Sequence, residues 1–466
     1  MTDTRKSAHP YIPNSVPEVK AQMLREVGLR DVADLHQAIP DYLKFKGEWR
    51  LPLPGLSEHE VRRHVRAILS KNRTCESYLN FLGAGCWQHF VPAVCDEVNQ
   101  RGEFLTAYTG GTYCDHGKMQ ALFEYASMVG ELVEMDAVCN PTYDWTSAAC
   151  TSVRMAARIT GRNRVLVPKN INPDKLMALR NYAKPDLIVH TIGFDPETGQ
   201  LDLAELEETV STATAAVYIE NPSYLGVIET GAPEVARLAH QKGALFVVGV
   251  DPSSLGVLAP PVRYGADIVC GELQPLGIHM HFGGGLAGFI ASSDDPKFVN
   301  EYPSYMGSIV PGSRPGEFGF GQVAFERTSY ISREQGKEFA GTGNALWGIT
   351  AAVYMALMGP QGFRELGEGI MQRSHYAASV LSQVKGVNAP LLQAPFFKEF
   401  VVTFDGTGKT VGEINKALLD HKIFGGKDLT RQFPELGNSA LYCVTEVLSK
   451  DDIDRLAAAL ESVLGR

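Results

Sequence analysis

Between residues 76 and 315 the chain alternates short apolar segments with helical patterns, and this alternation restricts the fold more than any other feature. Six apolar, β-rich runs have the length and composition of buried strands: 164–168, 187–192, 215–219, 245–250, 267–270 and 286–291. Helical patterns such as 118–135 and 232–242 are interspersed with them. Strands that alternate with helices build a mostly parallel sheet covered on both faces. Ligands bind such α/β sheets beyond the carboxyl ends of the strands.

Three regions differ in their sequence pattern. Residues 1–75 read as an N-terminal arm with repeated prolines and one amphipathic helix, in which Ser57 is the N-cap and Glu60 its capping-box partner. Residues 76–330 predict a large α/β domain, and residues 331–466 predict a small α+β domain with a helix-covered antiparallel sheet. Because the arm has little core of its own, we expect it to pack on a larger body or on a partner subunit.

Composition excludes several classes of protein. The chain has 466 residues, of which 44% are hydrophobic and 21% charged, as in ordinary globular proteins. Its formal net charge of −10 argues against binding to nucleic acids or anionic membranes, which need clustered Lys and Arg. No apolar stretch is long enough to span a bilayer, and no signal peptide is recognisable, so we expect a cytoplasmic location. The eight cysteines form no CxxC pair, so we expect no metal site.

The segment around Asp251 has the layout of a cofactor site. An apolar run ends in Asp251, a second short strand follows, and then comes the glycine-rich turn 283–285. Enzymes of fold type I that use pyridoxal phosphate (PLP) have this layout. In them the Asp holds the pyridine nitrogen, and a Lys after the second strand forms the Schiff base. Here no Lys lies between Lys242 and Lys297, so the scaffold lacks its covalent anchor.

Many segments resemble one family, the P-protein of the glycine cleavage system, which is the PLP-dependent decarboxylating glycine dehydrogenase. The resemblance is to its α subunit, also called subunit 1, and it extends over nearly the whole chain. The segments that carry it are 80–86 (NFLGAGC), 101–109 (RGEFLTAYT), 120–125 (QALFEY), 129–132 (VGEL), 143–144 (YD), 221–229 (NPSYLGVIE), 251–256 (DPSSLG) and 264–269 (YGADIV).

The resemblance implies a PLP transferase of fold type I and a division of labour between two chains. In split enzymes of this family the PLP-binding Lys is on the β subunit, and the α subunit shapes the active-site channel. We therefore expect PLP on a homologous Lys-bearing β subunit, an α2β2 heterotetramer, a small amino acid as substrate, and a lipoyl carrier protein as a further partner. The alternative that Lys297 serves as the anchor is disfavoured, because a strand and its glycine turn separate it from the expected position.

Other segments depart from the family pattern. After Glu-Phe-Leu-Thr-Ala the family has Tyr-Thr-Pro-Tyr-Gln-Pro-Glu, whereas this chain has the shorter loop 108–120 (YTGGTYCDHGKMQ). Residues 140–144 (NPTYD) are also one residue shorter, and 333–342 differs from the family sequence. Three hypotheses remain: an ordinary glycine-decarboxylating subunit with drifted loops, a paralogue that acts on another amino acid or runs another PLP reaction, and a non-enzymatic structural or regulatory subunit.

Candidate site residues follow from these segments. Tyr108, Tyr113 and His116 are the candidate catalytic residues, because hydroxyl and imidazole groups over a PLP site can transfer protons or bind a carboxylate. Further residues that we expect along the substrate channel are Thr106, Thr109, Asn140 and Tyr143. His279 and His281 stand where a PLP enzyme has its His-Lys pair. They are either remnants of that pair or interface residues, or they contact the cofactor across the interface, and we name them as candidate cofactor contacts. Cys114, Asp115 and His116 could suggest a metal cluster, but three adjacent residues rarely converge on one ion.

Overall fold

The computed structural model describes residues 11–12, 16–47, 55–105, 116–304, 306–323, 337–341 and 343–465. The chain divides into two compact units, residues 1–72 and residues 73–466. In the first unit, none of the described residues is buried. Its longest helix begins after Ser57, whose side chain accepts the backbone N–H of Glu60 while the Glu60 carboxylate accepts the N–H of Ser57 at 2.9 Å. The predicted capping box is therefore confirmed.

The second unit contains all of the strands that the structure describes. The strands are β1 (Leu79–Asn80), β2 (Ala137–Val138), β3 (Arg164–Pro168), β4 (Ile188–Ile192), β5 (Thr214–Glu220), β6 (Leu245–Val250), β7 (Ile268–Glu272), β8 (Gly288–Ser292), β9 (Met306–Pro311), β10 (Phe318–Val323), β11 (Glu399–Thr403), β12 (Ile423–Phe424), β13 (Lys427–Asp428) and β14 (Ser439–Cys443).

The described α-helices fall in both units, the first three in residues 1–72. They are α1 (Pro17–Glu26), α2 (Val32–Leu35), α3 (Glu58–Leu69), α4 (Ala93–Asn99), α5 (Gly102–Leu105), α6 (His116–Val133), α7 (Trp145–Thr160), α8 (Pro173–Ala183), α9 (Leu203–Thr209), α10 (Ala232–Gln241), α11 (Pro296–Val299), α12 (Ala345–Leu381), α13 (Val411–Leu418) and α14 (Lys450–Val463). Among the described residues, no helix is long and apolar enough to cross a membrane.

A seven-stranded sheet forms the centre of the second unit, in the order β2-β8-β7-β6-β5-β3-β4. Strands β3 to β7 run parallel, and β8 is antiparallel to both of its neighbours. The central strands are apolar on both faces because both are covered. In β6, Val247 belongs to the core under α7, whereas Phe246 and Val248 belong to the core under α6, α10 and α12. The predicted mostly parallel α/β sheet is confirmed.

The C-terminal part has its own core around a three-stranded antiparallel sheet, β11-β14-β13. The helix α12 leads into it and contains a kink, at which Gly359 has φ 58° and ψ 179°. Proline at 360 lacks the N–H that a regular helix needs, which accounts for the kink. The backbone at Gly359 is non-helical, so two helical segments meet at this residue.

Candidate functional site

A cavity of about 210 Å³ lies at the carboxyl edge of the central sheet. Three acidic residues mark the ends of adjacent parallel strands: Glu220 ends β5, Asp251 follows β6 and Glu272 ends β7. Because parallel strands end at the same edge, these carboxylates meet in one place. The cavity is also lined by the segments 83–87, 144–146, 222–224 and 397–399, and by Asn172, Lys175, Gly226, Gly283 and Leu286.

Asp251, the residue that the sequence singled out, already has a cationic partner within this chain. One of its oxygens, Oδ1, accepts the N–H and the hydroxyl of Ser253 at 3.0 and 2.8 Å. The other, Oδ2, lies 2.6 Å from the ammonium of Lys398, and both side chains are almost completely buried. The Lys398 ammonium also stands 3.7 Å from the centroid of the Trp87 ring, a cation–π arrangement. Asp251 is thus neutralised by a lysine of its own chain.

The position of Lys398 depends on a close approach between two backbone segments. Lys398 directly precedes β11, and β11 passes the turn at Gly226. Gly226 has φ 86°, and a Cβ at this position would lie 1.9 Å from the carbonyl oxygen of Glu399. Only glycine fits here, for both its conformation and its lack of a side chain. The turn after β5 therefore holds the Lys398 segment against the carboxyl edge of the sheet.

A histidine and a second acid extend this ion pair. The Nζ of Lys398 lies 3.1 Å from Nε2 of His89, and Nδ1 of His89 lies 2.8 Å from Oε2 of Glu446. An ammonium group can only donate, so Nε2 accepts and the Nδ1–H donates to Glu446. Asp251, Lys398, His89 and Glu446 therefore form a continuous chain of polar contacts, in which the first three residues are buried and Glu446 is partly exposed.

A second buried lysine pairs with a second strand-end acid. Lys175 on α8 forms an ion pair with Glu220, which also accepts the hydroxyl of Tyr218 at 2.8 Å. The Lys175 ammonium lies 3.5 Å from the centroid of the Trp145 ring. Both lysines of the cavity are therefore held in the same way, by a carboxylate on one side and an indole on the other.

The N-terminus of α7 opens on the same cavity, and acidic side chains accept two of its N–H groups. Asp144 accepts the N–H of Ser147 at 2.6 Å, and Glu272 accepts the N–H of Trp145 at 3.1 Å. Burial raises the pKa of Glu272 to about 8, although backbone N–H groups, among them that of Ala287, stabilise its charge. A helix N-terminus binds phosphate through free N–H groups. Here two side chains of the protein take that place.

The cavity of this chain does not fit PLP. The cofactor needs a lysine for its aldehyde, an acid free to hold its pyridine nitrogen, and an anion site for its phosphate. The turn 273–287 after β7 contains no lysine, Asp251 is paired with Lys398, and two N–H groups at the N-terminus of α7 are bonded to acidic side chains. Lys297, the alternative anchor, pairs with Asp295 at 3.2 Å and does not line the cavity.

The described site candidates lie outside this cavity. Tyr143 is about half exposed, and its hydroxyl donates to the carbonyl of Gly341 at 3.0 Å. Asn140 is partly buried and does not line the cavity either. His279 pairs with Asp96 at 3.0 Å, and the ring of His281 stacks on Trp347 with 5.5 Å between centroids. The structure brings the two histidine rings together, at 5.9 Å.

The remaining candidates fall in the segment between α5 and α6. Thr106, Tyr108, Thr109 and Tyr113 lie outside the described residues, as do Cys114 and Asp115. His116 begins α6, but its side chain is not described. Among the residues that are described, no three His, Cys, Asp or Glu side chains converge as metal ligands would.

Sequence reasoning missed four residues that define the cavity: Lys175, Glu220, Glu272 and Lys398. A signal for Lys398 exists, because Lys398 and Glu399 are adjacent charges between Phe397 and Phe400 in an otherwise apolar strand. Buried charges are rare unless they are paired, so such a doublet indicates a polar site. The sequence does not tell which acid Lys398 meets.

Comparisons with known proteins agree with this geometry. The model of the family "Glycine cleavage system P-protein" matches residues 9–460. A protein of Staphylothermus marinus named "Probable glycine dehydrogenase (decarboxylating) subunit 1" is 37% identical, over 98% of this chain and 98% of that protein. A protein of the same name from Aeropyrum pernix is 39% identical, over 98% of this chain and 99% of that protein.

Solved structures show the same fold. The crystal structure of glycine decarboxylase (P-protein) of the glycine cleavage system, in inhibitor-bound form, superposes with a TM-score of 0.84 at 33% identity, covering 98% of this chain and 100% of that one. A sphingosine-1-phosphate lyase of Burkholderia pseudomallei superposes with a TM-score of 0.66 at 15% identity, covering 91% of this chain and 94% of that one. The second likeness shows the fold alone. The fold is that of PLP-dependent transferases of type I, as predicted.

Proposed function

Because the chain belongs to the glycine cleavage system P-protein family, we propose that it is the lysine-less subunit of a two-chain glycine dehydrogenase (decarboxylating), whose PLP is held by a homologous Lys-bearing subunit. The observation that carries the proposal is the buried Lys398–Asp251 pair, which occupies the acid that the cofactor would need. The alternatives, a paralogue for another amino acid and a non-enzymatic subunit, have no support in the names of the relatives.

The division of labour follows from the chemistry of the two chains. When bound, PLP supplies the electron sink that makes loss of the substrate carboxylate possible. This chain contributes side chains that bind and orient the substrate at the partner's site. We assign these roles to Tyr108, Tyr113 and His116 as catalytic groups. Thr106, Thr109, Asn140 and Tyr143 then line the channel, and His279 and His281 face the partner's cofactor.

We extend the proposal to an α2β2 assembly in which a lipoyl carrier protein accepts the product. The N-terminal unit supports an assembly, since its helices α1, α2 and α3 bury none of their residues. Helices this short are marginal in isolation and gain their stability from packing. We therefore expect the N-terminal unit to contribute to contacts between subunits.

Reconstitution tests the proposal. This chain and the Lys-bearing subunit 2 from the same source are purified separately and mixed, with PLP and the lipoyl carrier protein added. Release of labelled CO2 from carboxyl-labelled glycine should require both chains. Full activity of either chain alone, or no activity of the mixture with glycine, would contradict the proposed function.

The same assay tests the roles assigned to Tyr113 and His116. A lost contact to a charged substrate group costs about 1.5–3 kcal/mol, or roughly ten- to a hundredfold in kcat/KM. Tyr113→Phe and His116→Ala should each reduce kcat/KM for glycine by this factor while the subunits still assemble at the same concentrations. Kinetics equal to wild type for both variants would remove these residues from the site.

A further inference from the structure

The turn 279–285, which follows β7, borders the cavity and is held by hydrogen bonds and side-chain contacts. Within it, the N–H groups of Gly283 and Gly285 both donate to the carbonyl of Met280, at 2.8 and 3.0 Å. Side-chain contacts fix the first residues of the turn: His279 pairs with Asp96 on α4, and His281 stacks on Trp347 of α12. Gly283 and the nearby Leu286 line the cavity. The turn 279–285 is therefore tied to two helices and borders the cavity.

At the tip of this turn stands Phe282, whose environment is unfavourable in the isolated chain. Its side chain is fully exposed, with a relative accessibility of 102%. Its backbone has φ 58°, and that of His281 has φ 42°, so two consecutive non-glycine residues lie in the left-handed region. This region is strained for an aromatic residue, and such strain persists only where the surroundings enforce it. The fold thus holds a large apolar ring out into solvent.

Other exposed apolar side chains belong to segments that contact this turn. Cys86 links its own segment to Met280, and this segment carries Phe90, which is 64% exposed. The amide of Asn344 bridges the carbonyls of Tyr143 and Leu286. The exposed apolar residues in these segments and on α4 are Leu82, Phe90, Val94, Tyr143 and Phe282. Exposed apolar residues that gather in neighbouring segments are typical of a site of protein association.

The sequence of the turn has the charge pattern of an interface core. Residues 275–293 contain no Asp, Glu, Lys or Arg. Interface cores are depleted in charged residues and enriched in aromatic ones, and single aromatic side chains often supply most of the binding energy. A membrane or nucleic acid would instead call for Lys and Arg around the ring.

We propose that Phe282 is the aromatic anchor by which this face docks onto the homologous Lys-bearing subunit. The identity of the partner rests on the proposed function, because the cavity of this chain does not fit PLP and catalysis then needs a second chain at the same edge of the sheet. Docking here buries the exposed ring and places the turn with His279 and His281 against the partner.

The test is a titration of subunit 2 from the same source with wild-type chain and with Phe282→Asn. Asparagine tolerates positive φ, so the variant removes the ring and keeps the turn. We expect the dissociation constant to rise at least about tenfold, as for loss of an interface anchor. The melting temperature of the isolated chain should stay the same or rise, because strain is relieved. A residue that only stabilised the fold would lower it.

Ile188→Ala is the matched control. Ile188 is also exposed and apolar, at 60%, but lies on β4, the strand at one edge of the central sheet. Its substitution should leave the dissociation constant unchanged.

Two results would overturn the proposal while leaving the proposed function in place. One is an unchanged dissociation constant for Phe282→Asn in a mixture that decarboxylates glycine. The other is a dimer of this chain alone that the substitution dissociates, because the ring would then dock onto a second copy. If the wild-type chains neither associate nor decarboxylate glycine, the proposed function itself fails.

Discussion

The cavity and the turn 279–285 beside it differ in how their side chains are accommodated. The charged side chains inside the cavity are paired, whereas the apolar ring at the tip of the turn is exposed. Inside, two buried lysines and two strand-end acids satisfy one another, as Lys398 with Asp251 and Lys175 with Glu220. Outside, the ring of Phe282 is fully exposed on a strained turn. An enzyme that bound PLP in this cavity would need the reverse, an acid free to accept the cofactor. The lysines of the cavity are thus paired within this chain, whereas the ring of Phe282 remains exposed to solvent.

The largest effect should come from breaking the interior ion pair. Lys398→Met leaves Asp251 buried without its cation, and loss of one partner of a buried pair costs about 3–5 kcal/mol. Denaturant unfolding should show a loss of this size in the free energy of unfolding. The double variant Asp251→Asn/Lys398→Met removes both charges and should recover most of it. A loss below about 1 kcal/mol in the single variant would mean that the pair does not hold the cavity together.

A smaller effect should appear in the pH dependence of stability. Burial raises the pKa of Glu399 from 4.5 to about 7, although the N–H of Ala84 and the charge of Lys398 favour its ionised form. The folded-state pKa lies above the unfolded one, so the stabilisation is complete below about pH 4.5 and is lost as pH rises through 7. A shift of this size corresponds to about 3 kcal/mol.

Glu399→Gln isolates this contribution, since glutamine keeps an oxygen to accept the N–H of Ala84. The difference in free energy of unfolding between variant and wild type should grow in favour of the variant between pH 4.5 and pH 7. Parallel pH curves for the two proteins would show that folding does not raise the pKa of Glu399.

The sequence predicted the sheet well because strand and cap signals are local. The apolar runs 164–168 and 245–250 coincide with β3 and β6, and Ser57 caps α3 as expected. Asp251 was identified because it directly follows such a run. By contrast, the partner of Asp251 lies just before β11, far along the chain. No local pattern encodes which strand end Lys398 reaches. The exposure of Phe282 likewise depends on how a turn is held by α4 and α12.

The most direct measurement determines which of the two chains carries the cofactor. The assembled complex is loaded with PLP, reduced with borohydride so that the cofactor stays attached to the lysine that holds it, and analysed by mass spectrometry of each chain. We expect the phosphopyridoxyl group on the Lys-bearing subunit alone, and none on this chain, with or without its partner. A phosphopyridoxyl group on Lys398 or Lys175 of this chain would contradict the proposal that this chain does not hold PLP. The cofactor would then have reacted with a lysine that is paired with a buried carboxylate.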